Sequence, residues 1–140
     1  MIEYKLVDKD IFFDVITTIT YREDDEKEAK AFNCLSVVDC YHKSPDRFNK
    51  YFIVYEDDRP VAPIILARNG NLTFFISKTI NSPIGVIRCL KDLAKKTVDC
   101  CGPIVTKTAT WYDEAQRMNK IIGFRPMAIY DGYGHYVMGY

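Results

Sequence analysis

Ile2-Glu3-Tyr4-Lys5-Leu6-Val7 alternates apolar and polar side chains and predicts a first strand. Asp8 or Asp10 then supplies an N-cap for a helix over Ile11 to Ile19, whose apolar positions 12, 15, 16 and 19 share one face. Residues 22–30 are charged, and Glu28, Ala29 and Ala31 favour helix; the pattern leaves open whether this prolongs the first helix or starts a second. Cys34 to Tyr41 fits either a short helix or a strand, and Ser44-Pro45-Asp46 marks a turn. Three strand signals follow, over 50–55, 61–67 and 72–77, with Pro63 pointing to a bulge or an edge. Asn69-Gly70-Asn71 between the last two predicts a type I′ hairpin turn, because Asn-Gly accepts positive φ.

Ser82-Pro83 opens a long helix as N-cap and first helical residue, with Val86, Leu90, Leu93 and Ala94 on its apolar face and Gly102 as its stop. Residues 104–109 read as a strand and 111–122 as an amphipathic helix closed by Gly123. Phe124 then opens one aromatic strand running to Tyr140. Three antiparallel strands followed by alternating helix and strand predict an α+β domain over residues 1–140. Its central sheet is mixed but mostly antiparallel, with helices on both faces.

Composition narrows the function classes. Nineteen basic residues balance nineteen acidic ones, so no global field recruits nucleic acid or an anionic membrane. No apolar run reaches membrane-spanning length. Five cysteines without a Cys-x-x-Cys pair, beside two histidines, predict free thiols, a cytoplasmic setting and no metal site. Ten Tyr and eight Phe fall in the strand signals and belong to a sheet core more readily than to a base-stacking platform.

The helix, Gly123-Phe124 and final strand resemble the closing unit of the GNAT N-acetyltransferase superfamily, and the order of elements is similar over nearly the whole chain. That resemblance implies acyl transfer from acetyl-CoA to an amine. The cofactor would lie in a splay between two parallel strands, its pyrophosphate on the N–H groups of a helix start. The family's Arg/Gln-x-x-Gly-x-Gly/Ala signature falls on Ile80-Asn81-Ser82-Pro83-Ile84-Gly85, where Gly85 alone fits. Cofactor contacts implied there are Ser77, Lys78, Ser82, Gly85 and Arg88; equally, Ser82-Pro83 is a good helix start and Lys78 and Arg88 are solvated. Many members place a proton-donating Tyr where this chain has Asn119, so Tyr112, Tyr130 and His135 become the candidate catalytic groups.

Weaker features have plainer readings. Tyr41-His42 suits packing, Cys100-Cys101 buried filler, and the run Glu23-Asp24-Asp25-Glu26 a solvated helix start or an attractor of polyamines or basic peptides. Two functions are compatible with this sequence. One is a GNAT-like acyl-CoA-dependent N-acetyltransferase of undefined acceptor. The other is an inactive GNAT-fold module in phage assembly or host interaction, since the layout also resembles small GNAT-like proteins of tailed phages. The second would place it in host cytoplasm or virion. An aromatic C-terminal strand at a sheet edge would suit a homodimer.

Overall fold

A computed structural model describes residues 1–43 and 49–139; the turn expected at Ser44-Pro45-Asp46 lies outside them. β1 (Ile2–Val7) leads through Asp8 into α1 (Lys9–Ile16), which ends before Ile19. Two further helices answer the open assignments: α2 (Glu23–Ala31) is separate from α1, and α3 (Val37–His42) is a helix capped by Ser36, whose hydroxyl accepts from Asp39 N–H at 3.1 Å. β2 (Lys50–Glu56), β3 (Arg59–Leu66) and a short β4 (Leu72–Phe74) complete an antiparallel sheet in the order β1-β2-β3-β4.

β3 is apolar and buried from Val61 to Leu66, as a central strand covered on both faces must be. Ile64 and Leu66 pack under α4 (Pro83–Cys101), together with Val86, Leu90 and Leu93. Ile65 and Ile53 instead meet Phe12, Ile16, Val37 and Tyr41 from the first three helices. Each isoleucine so buried contributes about 1.5–3 kcal/mol.

β5 (Ile104–Ala109), α5 (Asp113–Ile122), β6 (Arg125–Tyr130) and β7 (Tyr133–Met138) form the second half, with antiparallel order β5-β7-β6. The single strand expected from Phe124 to Tyr140 is thus two. Asp131 and Gly132 at φ 55° and 79° turn the hairpin, an Asp-Gly signal of the same kind as Asn-Gly. Among the described residues one parallel bridge, Asn71 to Val105, joins the two sheets, and beside it Thr106 Oγ1 donates to Leu72 O at 3.1 Å. That bridge is the parallel contact the crossovers imply.

The turn between β3 and β4 is a hairpin of another type. Gly70 is left-handed at φ 89° but Asn69 is not, and Asn69 Oδ1 instead accepts from Asn71 N–H at 3.0 Å.

β4 leaves its partner early. Pairing stops at Ile64 with Phe74, opposite Pro63, which has no N–H to donate. The gap is filled by Tyr41 of α3, fully buried: its hydroxyl donates to Pro63 O at 2.7 Å and accepts from Phe75 N–H at 2.8 Å. A side chain from the opposite layer thus replaces one rung of the ladder. The chain rejoins β3 at Ser77, whose N–H donates to Val61 O at 2.7 Å.

Candidate functional site

Where β4 bends away and β5 continues, the two sheets part and leave a cleft of about 690 Å³. Phe74, Phe75 and Ile76 form one wall, Thr106, Lys107 and Thr108 another, and Met118 and Asn119 of α5 close one end. Arg22, Asp25 and Glu28 of the α2 region reach it from the other layer.

Glu28 is the most perturbed carboxyl there. It is buried, and Ala109 N–H, at 3.0 Å from Oε2, is its one donor among the described residues. One neutral donor does not replace lost hydration, so burial pushes its pKa up to about 7. Asp25, one turn earlier, is also raised by burial, but three donors oppose it: Tyr112 hydroxyl at 2.7 Å, and Arg22 Nε and N–H at 3.3 Å. Arg22 also pairs with Glu114 of α5, tying α2 to α5.

The acidic run is therefore not a solvated helix start throughout. Asp25 is buried, and Glu26 Oε1 accepts from Val37 N–H at 2.6 Å to hold α3 against α2.

None of Tyr112, Tyr130 and His135 lines the cleft. Tyr112 is buried with its hydroxyl committed to Asp25, and burial followed by that bond pushes its pKa up, against proton donation. Tyr130 and His135 are brought together, rings stacked at 3.9 Å across β6 and β7, with His135 Nε2 buried and unbonded. The position implied for a proton donor, Asn119, does line the cleft; its Nδ2 donates to Thr108 Oγ1 at 2.8 Å. Sequence reading assigned Glu28 only to helix formation. Its burial comes from the packing of α2 against β5, which no local pattern encodes.

Of the five implied cofactor contacts, Ser82, Gly85 and Arg88 lie at the cap and in the first turns of α4, whereas the Ser77 and Lys78 amides are bonded to Val61 O and Thr20 O. Ser77 is buried and its hydroxyl is shared with Thr79; Lys78 and Arg88 are exposed. Ser82 caps the helix by accepting from Gly85 N–H at 3.3 Å.

The amides before the helix are already taken. Glu56, at the end of β2, is 2% exposed, and its carboxylate accepts from Asn81 N–H at 2.8 Å and Ser82 N–H at 2.7 Å. Arg59 Nη2 pairs with the same carboxylate at 2.8 Å. The Asn81 amide foremost, then Ser82 and Arg59, hold Glu56 below the usual carboxylate range, so the charge at this helix start is permanent near neutrality. A CoA diphosphate does not fit a cradle that already holds an anion.

Cys100 and Cys101 are exposed rather than buried filler. Tyr41 and His42 pack, His42 stacking on Phe13 at 4.5 Å. Among the described residues no group of three His, Cys, Asp or Glu side chains is placed to hold a metal, and no helix is long and apolar enough to cross a membrane.

No family model and no curated protein matches the sequence. Solved structures do match in shape. The GNAT domain of S. lividans PAT superposes with a TM-score of 0.71 at 11% identity, covering 96% of this chain and 88% of that one. An N-acetyltransferase from Staphylococcus aureus Mu50 gives 0.69 at 13% identity, covering 99% and 97%. Campylobacter jejuni N-acetyltransferase PseH, in complex with acetyl coenzyme A, gives 0.62 at 11% identity, covering 99% of both chains. The chain has the GNAT fold.

Proposed function

We propose that this protein is an N-acyltransferase that moves an acyl group from a thioester to an amine bound in the β4/β5 cleft. One observation carries the reading: Glu28, a buried carboxyl with its pKa near 7, faces the cleft where the sheets part. A general base works best when its pKa lies near the working pH, and environment alone has put this one there. As the amine nitrogen bonds to the acyl carbon, its proton passes to Glu28 and the carbon–sulfur bond breaks, releasing the thiolate.

Acetyl-bearing thioesters are the natural first donors, since acetyl coenzyme A is what PseH holds in its complex. The inactive-module reading has no comparable observation in its favour.

The reading is tested by assaying thiol release from acetyl thioesters against a panel of polyamines, amino sugars and peptide N-termini. Glu28→Gln should lower turnover by about 10²-fold or more. Turnover unchanged in that variant rejects Glu28 as the base, and no thiol release with any amine rejects the activity.

A further inference from the structure

We infer that Glu56 is a resident anion occupying the start of α4, so that the donor is recognised through its pantetheine arm and acyl end while a CoA diphosphate adds nothing to its binding. The inference rests on the acyl-transfer reading for the donor, but the occupancy of the helix start stands on its own geometry.

Three features disfavour a phosphate there. The Asn81 and Ser82 amides already donate to Glu56 at 2.8 and 2.7 Å, and Arg59 neutralises that carboxylate rather than a ligand. Pro83 has no N–H, and the Ser82 hydroxyl is engaged with Gly85 N–H. Finally, the space that glycine opens at 85 is filled from inside the fold: a Cβ there would meet Ile2 Cδ1 at 2.3 Å and Ser82 Oγ at 2.9 Å. The side of Gly85 that lacks a Cβ is thus covered by the tip of the Ile2 side chain rather than left open for a ligand. A diphosphate arriving at this cradle must break two charge-assisted hydrogen bonds and the Arg59 pair to displace the carboxylate.

The experiment compares acetyl-CoA with S-acetylpantetheine by calorimetry on the wild-type chain. In parallel, the Asn81 and Ser82 amide resonances are followed while millimolar inorganic pyrophosphate is added. Wild type should bind the two thioesters with nearly equal affinity and show no movement of either amide. Glu56→Ala should gain about tenfold in acetyl-CoA affinity, a step of about 1.4 kcal/mol, with S-acetylpantetheine unchanged and pyrophosphate now shifting both amides. Glu56→Gln, which keeps the side-chain volume, should show a smaller gain in the same direction and serves if Glu56→Ala does not fold.

Acetyl-CoA binding wild type tenfold more tightly than S-acetylpantetheine, with both amides shifted, overturns the inference. So does an alanine variant that binds pyrophosphate no better than wild type. If neither thioester binds wild type, the acyl-transfer reading and the inferred donor fail together, and the pyrophosphate arm still decides whether Glu56 holds the helix start.

Discussion

Glu28 and Glu56 are both buried carboxyls, yet their surroundings push them in opposite directions, and the sign of each is measurable. Glu28 has a folded pKa of about 7 against an ordinary 4.5, so the folded state holds its proton more tightly. Its contribution is fully present below the unfolded pKa and is lost as pH rises to about 7, a change of at most about 3 kcal/mol. Subtracting the melting profile of Glu28→Gln from that of wild type should isolate this loss between roughly pH 4.5 and 7; a flat difference would mean the carboxyl is solvated. Glu56 is depressed below 4.5, so its stabilisation is present above the unfolded value and fades as pH falls through the folded one. Glu56→Gln should therefore be less stable than wild type at neutral pH and converge with it in acid. Tyr112→Phe strips Asp25 of its shortest bond and should cost about 1–3 kcal/mol, with the pH profile of activity retained. A profile that loses a limb would instead restore Tyr112 as a catalytic residue. None of these roles could be read locally: Asp25 sits in a run that looks solvated and Glu28 reads only as a helix former, and only α5 and β5 packing over them reveals otherwise.

Elements were more legible than residues. Ser82-Pro83, Gly102 and Gly123 bound α4 and α5 because capping chemistry is local and specific. Boundaries failed where a contact from elsewhere decides. β4 reads as six residues but pairs for three, because Tyr41 enters where Pro63 offers no donor. The aromatic run around Asp131-Gly132 masks the break between β6 and β7 in the sequence. Gly70 supports a prediction at this scale. Its φ is 89° and a Cβ there would lie 2.7 Å from the backbone oxygen of Pro103, which cannot rotate away. Gly70→Ala should destabilise by at least about 1 kcal/mol, read from denaturant midpoints. A neutral result would show that this junction between the sheets yields easily.

At the scale of the molecule, the order of elements was legible because hydrophobic period and turn residues agree along most of the chain. The parting of the sheet into two was not, since it depends on the single bridge between Asn71 and Val105. The halves remain one folding unit all the same. The core under α4 draws Val54 and Ile64 from one sheet and Ile104 and Tyr136 from the other, with Ile122 and Phe124 at the α5 end. Far-ultraviolet dichroism and Trp111 fluorescence should accordingly melt together; separated midpoints would mean that the sheets unfold independently. The cleft is thus framed by parts that cannot come loose singly, except at the borrowed rung. Phe75 belongs to no strand, and its position predicts rapid exchange of its amide with deuterated solvent. Its proton is nevertheless held by a phenol that is sealed from water. Releasing it requires α3 to lift, so the Phe75 amide should exchange as slowly as those of β3, a clock on the opening of the layer above the cleft.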